Sequence, residues 1–389
     1  MKSILRLILV SIFIALLSAC GDKNQSKEPA SAQEMITIDL NQEFESKPIP
    51  LSQIAKDIRV IRLSSEEESL MRYFRGFVGK KYIISVTRKN ILQFDSNGKF
   101  IRTITRSGKG PREFSQMVMS WAVDDHEKHL FYNGFKNNYI CKFNLETGEF
   151  EKDINIPIEH CSDIFNMASV NDTTLVIAPN KYKSSGYEYF SLSHSGRIID
   201  GYKRKPIAKE LWPKSFNKPT LKKADDEHLL LLTNQSEPMY RLDKKRRDPV
   251  LQIQGKDTTF IDEGFIVSFM NCTHTSEKYT YLTLSKVKEA FGAIMTAGDA
   301  SYLYDKKKNE TVEIKKFTYD TYGIPLGKRL MNLDRGVFYC SVNAIDLKNK
   351  LDKIIEKNEL PKKEMEWVKN LQDKVSEDDN PVIFSGKWI

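Results

Sequence analysis

The chain has 389 residues, of which 40% are hydrophobic and 29% charged, with a formal charge of +8. It is long enough to bury a large core, and its mild charge, spread along the whole length, does not mark a nucleic-acid partner. Five cysteines without C-x-x-C spacing indicate neither a zinc site nor a disulfide framework. At the N-terminus, Lys2 and Arg6 precede an apolar run from Leu7 to Leu17, broken only by Ser11, and then small residues lead to Cys20. That is the layout of a secretory signal over residues 1–19, too short and too early for a spanning helix.

The last residues of that segment, Leu17-Ser18-Ala19-Cys20, resemble the lipobox of bacterial lipoproteins. The resemblance implies cleavage before Cys20 and lipidation of its thiol and amine. One acyl chain anchors weakly, at ~0.8 kcal/mol per buried CH₂, so stable attachment takes several chains. Residues 20–35 are polar, small and patternless, and read as a flexible tether. Gly21, where an aspartate would signal inner-membrane retention, points to the outer membrane. Asp22 followed by Lys23 is a poor match to the acidic cluster of surface-exposed lipoproteins, so the periplasmic or outer face stays open.

Residues 36–389 are strand-like. Short runs rich in β-branched and aromatic residues, such as "KYIISV" (81–86), "HLFYN" (129–133), "TTLVIA" (173–178) and "GVFYCSV" (336–342), alternate with turn signals. One hairpin recurs, as "FDSNGKFIRTI" at Phe94, "FNLETGEFEKDI" at Phe143, "LSHSGRIIDGY" at Leu192, "LDKKRRDPVLQI" at Leu242 and "YDKKKNETVEI" at Tyr304. The intervals are 49, 49, 50 and 62 residues. A period of ~40–50 residues with about four strands per unit is the signature of a propeller blade. The expected fold is all-β, a six-bladed β-propeller with four-stranded antiparallel blades. Inner strands are predicted near 73–78, 118–123, 164–169, 218–224, 264 and 329, with extra residues in the fifth blade at 285–300. In the sixth, residues 344–375 carry Leu347, Leu351, Ile354, Ile355, Met365, Val368 and Leu371 at helical spacing, broken at Pro361. An open ring leaves sheet edges unpaired, and "MITIDL" (35–40) and "PVIFSG" (381–386) are the natural pair to close it. Cys141 and Cys340 lie in apolar runs and read as buried thiols.

With these pieces in place, the sequence resembles the six-bladed β-propeller lipoproteins of the Bacteroidota, a domain of unknown function related in shape to NHL-repeat propellers. The matching stretches are "IRVIRLSSEEESLM", "ILQFDSNGKFIRTITRSGKGPREF" with the family's G-x-G-P-G-E-[FY] pattern, "EDDNPVIF" (377–384) and the lipobox. The resemblance covers essentially all of the mature chain. Its one departure is Arg112, where the pattern has glycine, so the backbone there is not expected to need a glycine-only conformation.

"RSGKGPREF" (106–114) lacks Walker spacing and leads to no helix, so it is not a nucleotide loop. It reads as an interblade turn: Gly108 and Gly110 permit positive φ, Pro111 fixes the next step, and Glu113 completes the motif. Arg106, Lys109 and Arg112 are expected on the crossover face near the channel mouth, as candidate contacts to an anionic partner. On inner strands, Arg75, Asn166, Lys222 and Asn271 are candidate binding residues. The hairpins "KKRR" (244–247) and "KKK" (306–308) are either solvated turns or a site for anionic lipid heads or glycans. The inner strands hold neither His nor acid in their middles, and no G-x-S-x-G elbow appears. A metal site from His160, Asp163 and His274 is conceivable but not favoured. No cofactor and no metal are expected. The reading is a lipid-anchored propeller that binds a protein, peptide or glycan at the outer membrane, with no nucleic acid. The alternative is a propeller hydrolase or lyase acting on an extracellular polymer.

Overall fold

The computed structural model describes residues 35–114, 118, 120–134, 139–157, 165–179, 186–203, 220–224, 228–232, 238–243, 246–254, 266–290 and 293–389. Cys20 with the expected signal, Cys161, His160, Asp163, Lys244 and Lys245 lie outside the described residues, as do the side chains of Asn271 and Cys272. Six small sheets, mainly antiparallel, form the ring of a six-bladed β-propeller. The first blade is Gly76–Val78, Tyr82–Val86, Asn90–Asp95 and Phe100–Arg106, from inner to outer strand. The second is Trp121–Val123, His129–Asn133, Tyr139–Asn144 and Ile154–Asn155. The third is Phe165–Asn171, Thr174–Pro179, Tyr187–Ser193 and Ile198–Lys203. The fourth is Thr220–Lys223, Leu229–Leu232, Met239–Asp243 and Arg246–Gln254. The fifth is Ile266–Thr275, Tyr279–Ala290, Ala293–Asp305 and Glu310–Tyr319. The extra residues at 285–300 lengthen its middle hairpin, which stays paired out to Ala290 and Ala293.

Each blade is covered on both faces, so its middle strands are buried on both sides. In His129–Asn133 every residue is buried. Leu130 and Tyr132 pack toward the first blade with Ile84, Val86 and Ile91. Phe131, pointing the other way, packs with Leu175, Ile177 and Phe190 of the third. The period-2 alternation of a strand thus feeds two different cores. Six apolar clusters among the described residues fill the six interblade seams. Cys141 and Cys340 are buried free thiols within these seams.

Closure differs from the sequence expectation. The sixth blade is Met331–Asp334, Val337–Val342 and Val382–Trp388, and its outer strand is Ala55–Arg62, paired antiparallel with Val382–Trp388. "MITIDL" does not pair with "PVIFSG". Ile36–Asp39 instead adds in parallel to the outer strand of the fourth blade, Ile36 opposite Leu251. The next segment, Ser46–Pro50, adds in parallel to the outer strand of the fifth. The reason lies in the side chains. The ring-closing strand sits between two neighbours and needs apolar residues on both faces. Ala55–Arg62 supplies Ile58 and Val60 to the seam with the fifth blade, and Ile61 to the seam with the first. Ile36–Asp39 has apolar residues on one face only, which suits it to covering an exposed edge.

Helices Ala344–Lys357 and Lys362–Lys374 are inserted in the sixth blade between Val337–Val342 and Val382–Trp388. The first stops at Asn358, which is left-handed at φ 50° and donates its N–H to the Ile354 carbonyl at 3.2 Å. Pro361 separates the two, as its missing N–H and fixed φ require. Leu347, Leu351, Val368 and Leu371 bury against the blade, and Trp367 stacks on Tyr322 at 3.8 Å between ring centres. Among the described residues no helix is long and apolar enough to cross a membrane.

Candidate functional site

The inner strands enclose a cavity of about 280 Å³. Its described walls are Arg75 from the first blade, Trp121 from the second, Asn166 and Ser169 from the third, Thr220, Lys222 and Lys223 from the fourth, and Asp334, Arg335 and Tyr339 from the sixth. The described lining thus mixes amides, hydroxyls, cations and one carboxylate with apolar groups, among them Val123, Met167, Leu221 and Met331. Arg75 donates to the Val118 carbonyl at 3.2 Å, which joins the cavity wall to the crossover between the first two blades. Burial lowers the Arg75 pKa from its ordinary value, with Tyr339 and Tyr73 opposing. Burial pushes the Asp334 carboxyl up, against the pull of Arg335, Lys223 and Lys222.

Three alternate blades meet across the axis at the end where the inner hairpins turn. Lys223 of the fourth blade, 3% exposed, places Nζ 2.5 Å from both carboxylate oxygens of Asp125 in the second. Arg335 of the sixth blade stands 3.3 Å from the same carboxylate. It also donates to the Val123 carbonyl at 2.6 Å, and its backbone N–H donates to the Lys223 carbonyl at 2.9 Å. These contacts form a polar floor. Asp125 is held by its own turn, in which the Asp124 carboxylate accepts from the N–H groups of Lys128 and His129. Glu127, buried and left-handed at φ 55°, accepts from Lys80, Lys81 and Tyr82 of the first blade at 2.6, 2.8 and 3.0 Å. Gly79 leaves the room for that carboxylate, since a Cβ there would lie 2.3 Å from Glu127 Oε2.

"RSGKGPREF" is the interblade crossover expected from its position, but its residues divide the work differently. Gly108 and Gly110 are not among the glycines at positive φ. Gly108 is needed for space: a Cβ would lie 2.0 Å from Glu113 Oε2. That same oxygen accepts the Gly110 N–H at 2.7 Å, so the Glu113 carboxylate folds back over both glycines. The left-handed residue is Arg112, at φ 66°. This left-handed region favours glycine but is open to other residues at some cost, so no glycine-only conformation is needed there. The conformation is held because its carbonyl accepts from Thr105 Oγ1 at 2.9 Å and from the Tyr132 hydroxyl. Its guanidinium lies 4.8 Å from the centre of the Phe150 ring and 3.9 Å from Asp153.

Of the sequence-predicted binding residues, Arg75, Asn166 and Lys222 line the cavity. Arg106, Lys109 and Arg112 do not. Arg106 ends the outer strand of the first blade, Lys109 is exposed beyond it, and Arg112 is turned toward the outer part of the second blade. Their expected place at the channel mouth is corrected accordingly. His274 is buried edge-on to Trp388, with ring centres 5.7 Å apart, and does not line the cavity. Among the described residues no group of three or more His, Cys, Asp or Glu side chains could hold a metal ion. Asp125, Lys223, Asp334 and Arg335 escaped the sequence reading because residues about a hundred positions apart meet only when the ring forms. The one local signal was "LDRG", whose Arg335 and Gly336 are both left-handed, at φ 52° and 68°, as a tight hairpin turn requires.

The nearest feature to a catalytic constellation lies on the outer part of the second blade. His129 places Nδ1 2.7 Å from Asp124 and Nε2 3.0 Å from Glu151, and Glu151 also accepts from Lys142 at 2.7 Å. Lys142 first, with Asn144 and His129 adding, holds the Glu151 carboxyl down to about 2. Both ring nitrogens of His129 face carboxylates, which leaves no position for a nucleophile.

A solved structure of a candidate exported protein from Bacteroides fragilis is similar in fold. It is 14% identical, the match covers 91% of this chain and 99% of that one, and the TM-score is 0.61. BamB from Moraxella catarrhalis is 12% identical over 72% of this chain and 88% of its own, with a TM-score of 0.41. The propeller domain of Cps50 (Swd1) from Myceliophteria thermophila is 10% identical over 65% and 87%, with a TM-score of 0.37. No curated protein matches the chain. The family of the domain of unknown function DUF4934 matches residues 35–387, nearly all of the ring. This six-bladed propeller therefore belongs to the DUF4934 family.

Proposed function

We propose that the protein is a lipid-anchored propeller of the cell envelope that binds a protein, peptide or glycan partner without covalent chemistry. The observation that carries this reading is the make-up of the cavity. A catalytic propeller would place His and acidic groups, or a metal set, around the axis. Here the described walls offer Asn166, Ser169, Thr220, Trp121, Lys222 and Lys223 on inner strands, Arg75 just before one, Arg335 in a hairpin turn, and Asp334 as the one described carboxylate, with no histidine among them. Rigid walls with a few placed polar groups are the common form of a recognition site. The lipobox-like Leu17-Ser18-Ala19-Cys20 supports attachment at Cys20, and the exported character of the similar Bacteroides fragilis protein supports an envelope location.

Two measurements test the reading. Cys20→Ala should move the protein from the membrane fraction to the soluble fraction, and retention in the membrane would refute the anchor. Affinity capture of the intact lipoprotein from envelope extract should recover a stable partner. Turnover of an envelope polymer by the purified protein, lost on mutation of cavity residues, would instead establish the hydrolase or lyase.

A further inference from the structure

The outer strand of a blade presents a row of backbone N–H and C=O groups at its free edge, ready to pair with another chain. This ring finishes three of its six blades with its own N-terminal segment. Ile36–Asp39 lies parallel on the outer strand of the fourth blade and Ser46–Pro50 on that of the fifth, while Ala55–Arg62 is the outer strand of the sixth. Period-2 alternation turns every second side chain of an added strand inward. Ile38 and Ile49 are 2% and 1% exposed, and Ile36 and Ile38 enter the seam between the fourth and fifth blades beside Leu282, Leu284 and Tyr302.

The first three blades end differently. In the first, the Phe100 N–H donates to Ser64 Oγ at 2.7 Å, and the Arg102 guanidinium packs over Gly148 of the second blade. The outer strand of the second is two residues long, Ile154–Asn155. That of the third, Ile198–Lys203, runs six residues and pairs on one side with Tyr187–Ser193. Among the described residues no strand pairs with its other side. Although Asp200 and Lys203 lie on it, Ile199 is 50% exposed and Tyr202 43%. A wall stands beside that edge. Tyr202 stacks flat on Tyr189, with ring centres 5.8 Å and planes 6° apart. From the outer strand of the fourth blade, the Arg247 guanidinium lies 5.0 Å from the Tyr202 ring centre and 3.6 Å from that of Tyr240, and Glu188 holds it at 2.5 Å. Side chains fixed in this way lose little freedom on binding. They flank the outer part of the seam between the third and fourth blades. One blade further on, the corresponding place is filled by Ile36 and Ile38.

We infer that Ile198–Lys203 takes an extended segment of a partner protein as a fifth, parallel strand of the third blade. The added strand carries apolar residues at alternate positions, packed on Tyr202 and the Arg247 wall, as the N-terminal strands do on the next two blades. This rests on reading the ring as a binding module and names the chemistry of its partner. Main-chain pairing supplies affinity in such strand addition, and the alternate side chains supply selectivity. A second copy meeting the same strand about a two-fold axis would pair antiparallel, against the parallel order seen at both neighbouring edges. One six-residue strand per copy is also small beside the ~800 Å² per partner of stable interfaces.

The test is site-specific photocrosslinking of the full-length protein in its own host cells. A benzophenone side chain placed at Ile199 or at Tyr202 should capture the same segment of one partner, and one placed at Ile101 of the first blade should not. The sites captured should rise along the partner sequence from Ile199 to Tyr202, by about three residues, as parallel pairing requires. That segment, made as a synthetic peptide, should bind the purified full-length protein. Tyr202→Lys and Ile199→Lys should each weaken it about tenfold or more, the scale of losing one large apolar contact. Both positions are exposed, and an unchanged melting temperature shows that each variant is folded. The inference is overturned if neither position crosslinks, if Ile101 captures the same segment, or if the captured sites descend. It is equally overturned if the adduct is a second copy of this chain, or if both folded variants bind the peptide as the parent does. A partner recovered by affinity capture of the intact lipoprotein, with Ile199 and Tyr202 silent, would leave the binding-module reading standing and sink this one.

Discussion

Removing Asp125 should cost far more than removing the lysine it holds. The carboxylate is 27% exposed, whereas Lys223 is 3% exposed and Arg335 14%. In Asp125→Ala, Lys223 keeps its place in the wall without the carboxylate that pairs with it, and Arg335 loses the carboxylate 3.3 Å away. Breaking a buried pair by deleting one partner costs about 3–5 kcal/mol. For a ring of roughly 350 residues, an unfolding entropy of about 2.1 cal/mol/K per residue converts this to a fall of about 4–7 °C in Tm. Lys223→Met should cost less, because Asp125 keeps Arg335 and some solvent. The double variant Asp125→Ala/Lys223→Met should recover most of the single loss, since an apolar replacement of a buried pair is often neutral. Thermal unfolding followed by near-UV circular dichroism, at low and high salt, reads all three. A fall below about 1 °C for Asp125→Ala, or a double variant no more stable than that single one, would refute the floor as a set of buried ion pairs.

Arg112→Gly should be more stable than Arg112→Ala by about 1 kcal/mol in denaturant unfolding, because alanine keeps the left-handed strain that glycine relieves. Asn380→Ala should cost about 2–4 kcal/mol, since its buried side chain accepts the Met71 N–H and donates to the Ser64 and Ser69 carbonyls, tying the crossover into the first blade. Acid should unfold the protein in two overlapping windows. Burial first, with Lys142 and His129 adding, lowers His194 from 6.5 to about 4. The unfolded chain therefore takes up that proton first, and stability falls as pH drops from about 6.5 to 4. Glu151, lowered from 4.5 to about 2, contributes stability present above pH 4.5 and lost as pH falls through 2. His194→Gln should flatten the upper window and Glu151→Gln the lower one in melts across pH, and a profile unchanged by either would contradict the assignment.

The blade count and strand order were legible because they rest on local pattern. The hairpins at Phe94, Phe143, Leu192, Leu242 and Tyr304 each supply the third and fourth strands of a blade. Helix positions were legible for the same reason: Pro361 and the apolar spacing are local. Closure was harder. "MITIDL" and "AKDIRVIR" both read as strands, and only the need for apolar side chains on both faces chooses between them. Arg75, Asn166 and Lys222 were found because inner strands point residues at the axis. The floor was not, because Asp125, Lys223 and Arg335 sit in hairpin ends of ordinary composition. In "RSGKGPREF" the turn was read correctly while its glycines were given the wrong task. Sequence shows that a residue lacks a Cβ, but not whether the chain needs that for dihedral freedom or for room.

The seam between Ala55–Arg62 and Val382–Trp388 also sets an order of events. Synthesis delivers the first of these strands some three hundred residues before its partner, so the ring cannot shut until the last stretch of chain has emerged. The strands at Ile36–Asp39 and Ser46–Pro50 wait in the same way for Leu251–Gln254 and Glu313–Thr318. Long-range pairing of this kind makes folding slow. A chain that must cross a membrane before folding gains from that delay: its earliest segment has nothing to lock onto while the rest is still in transit.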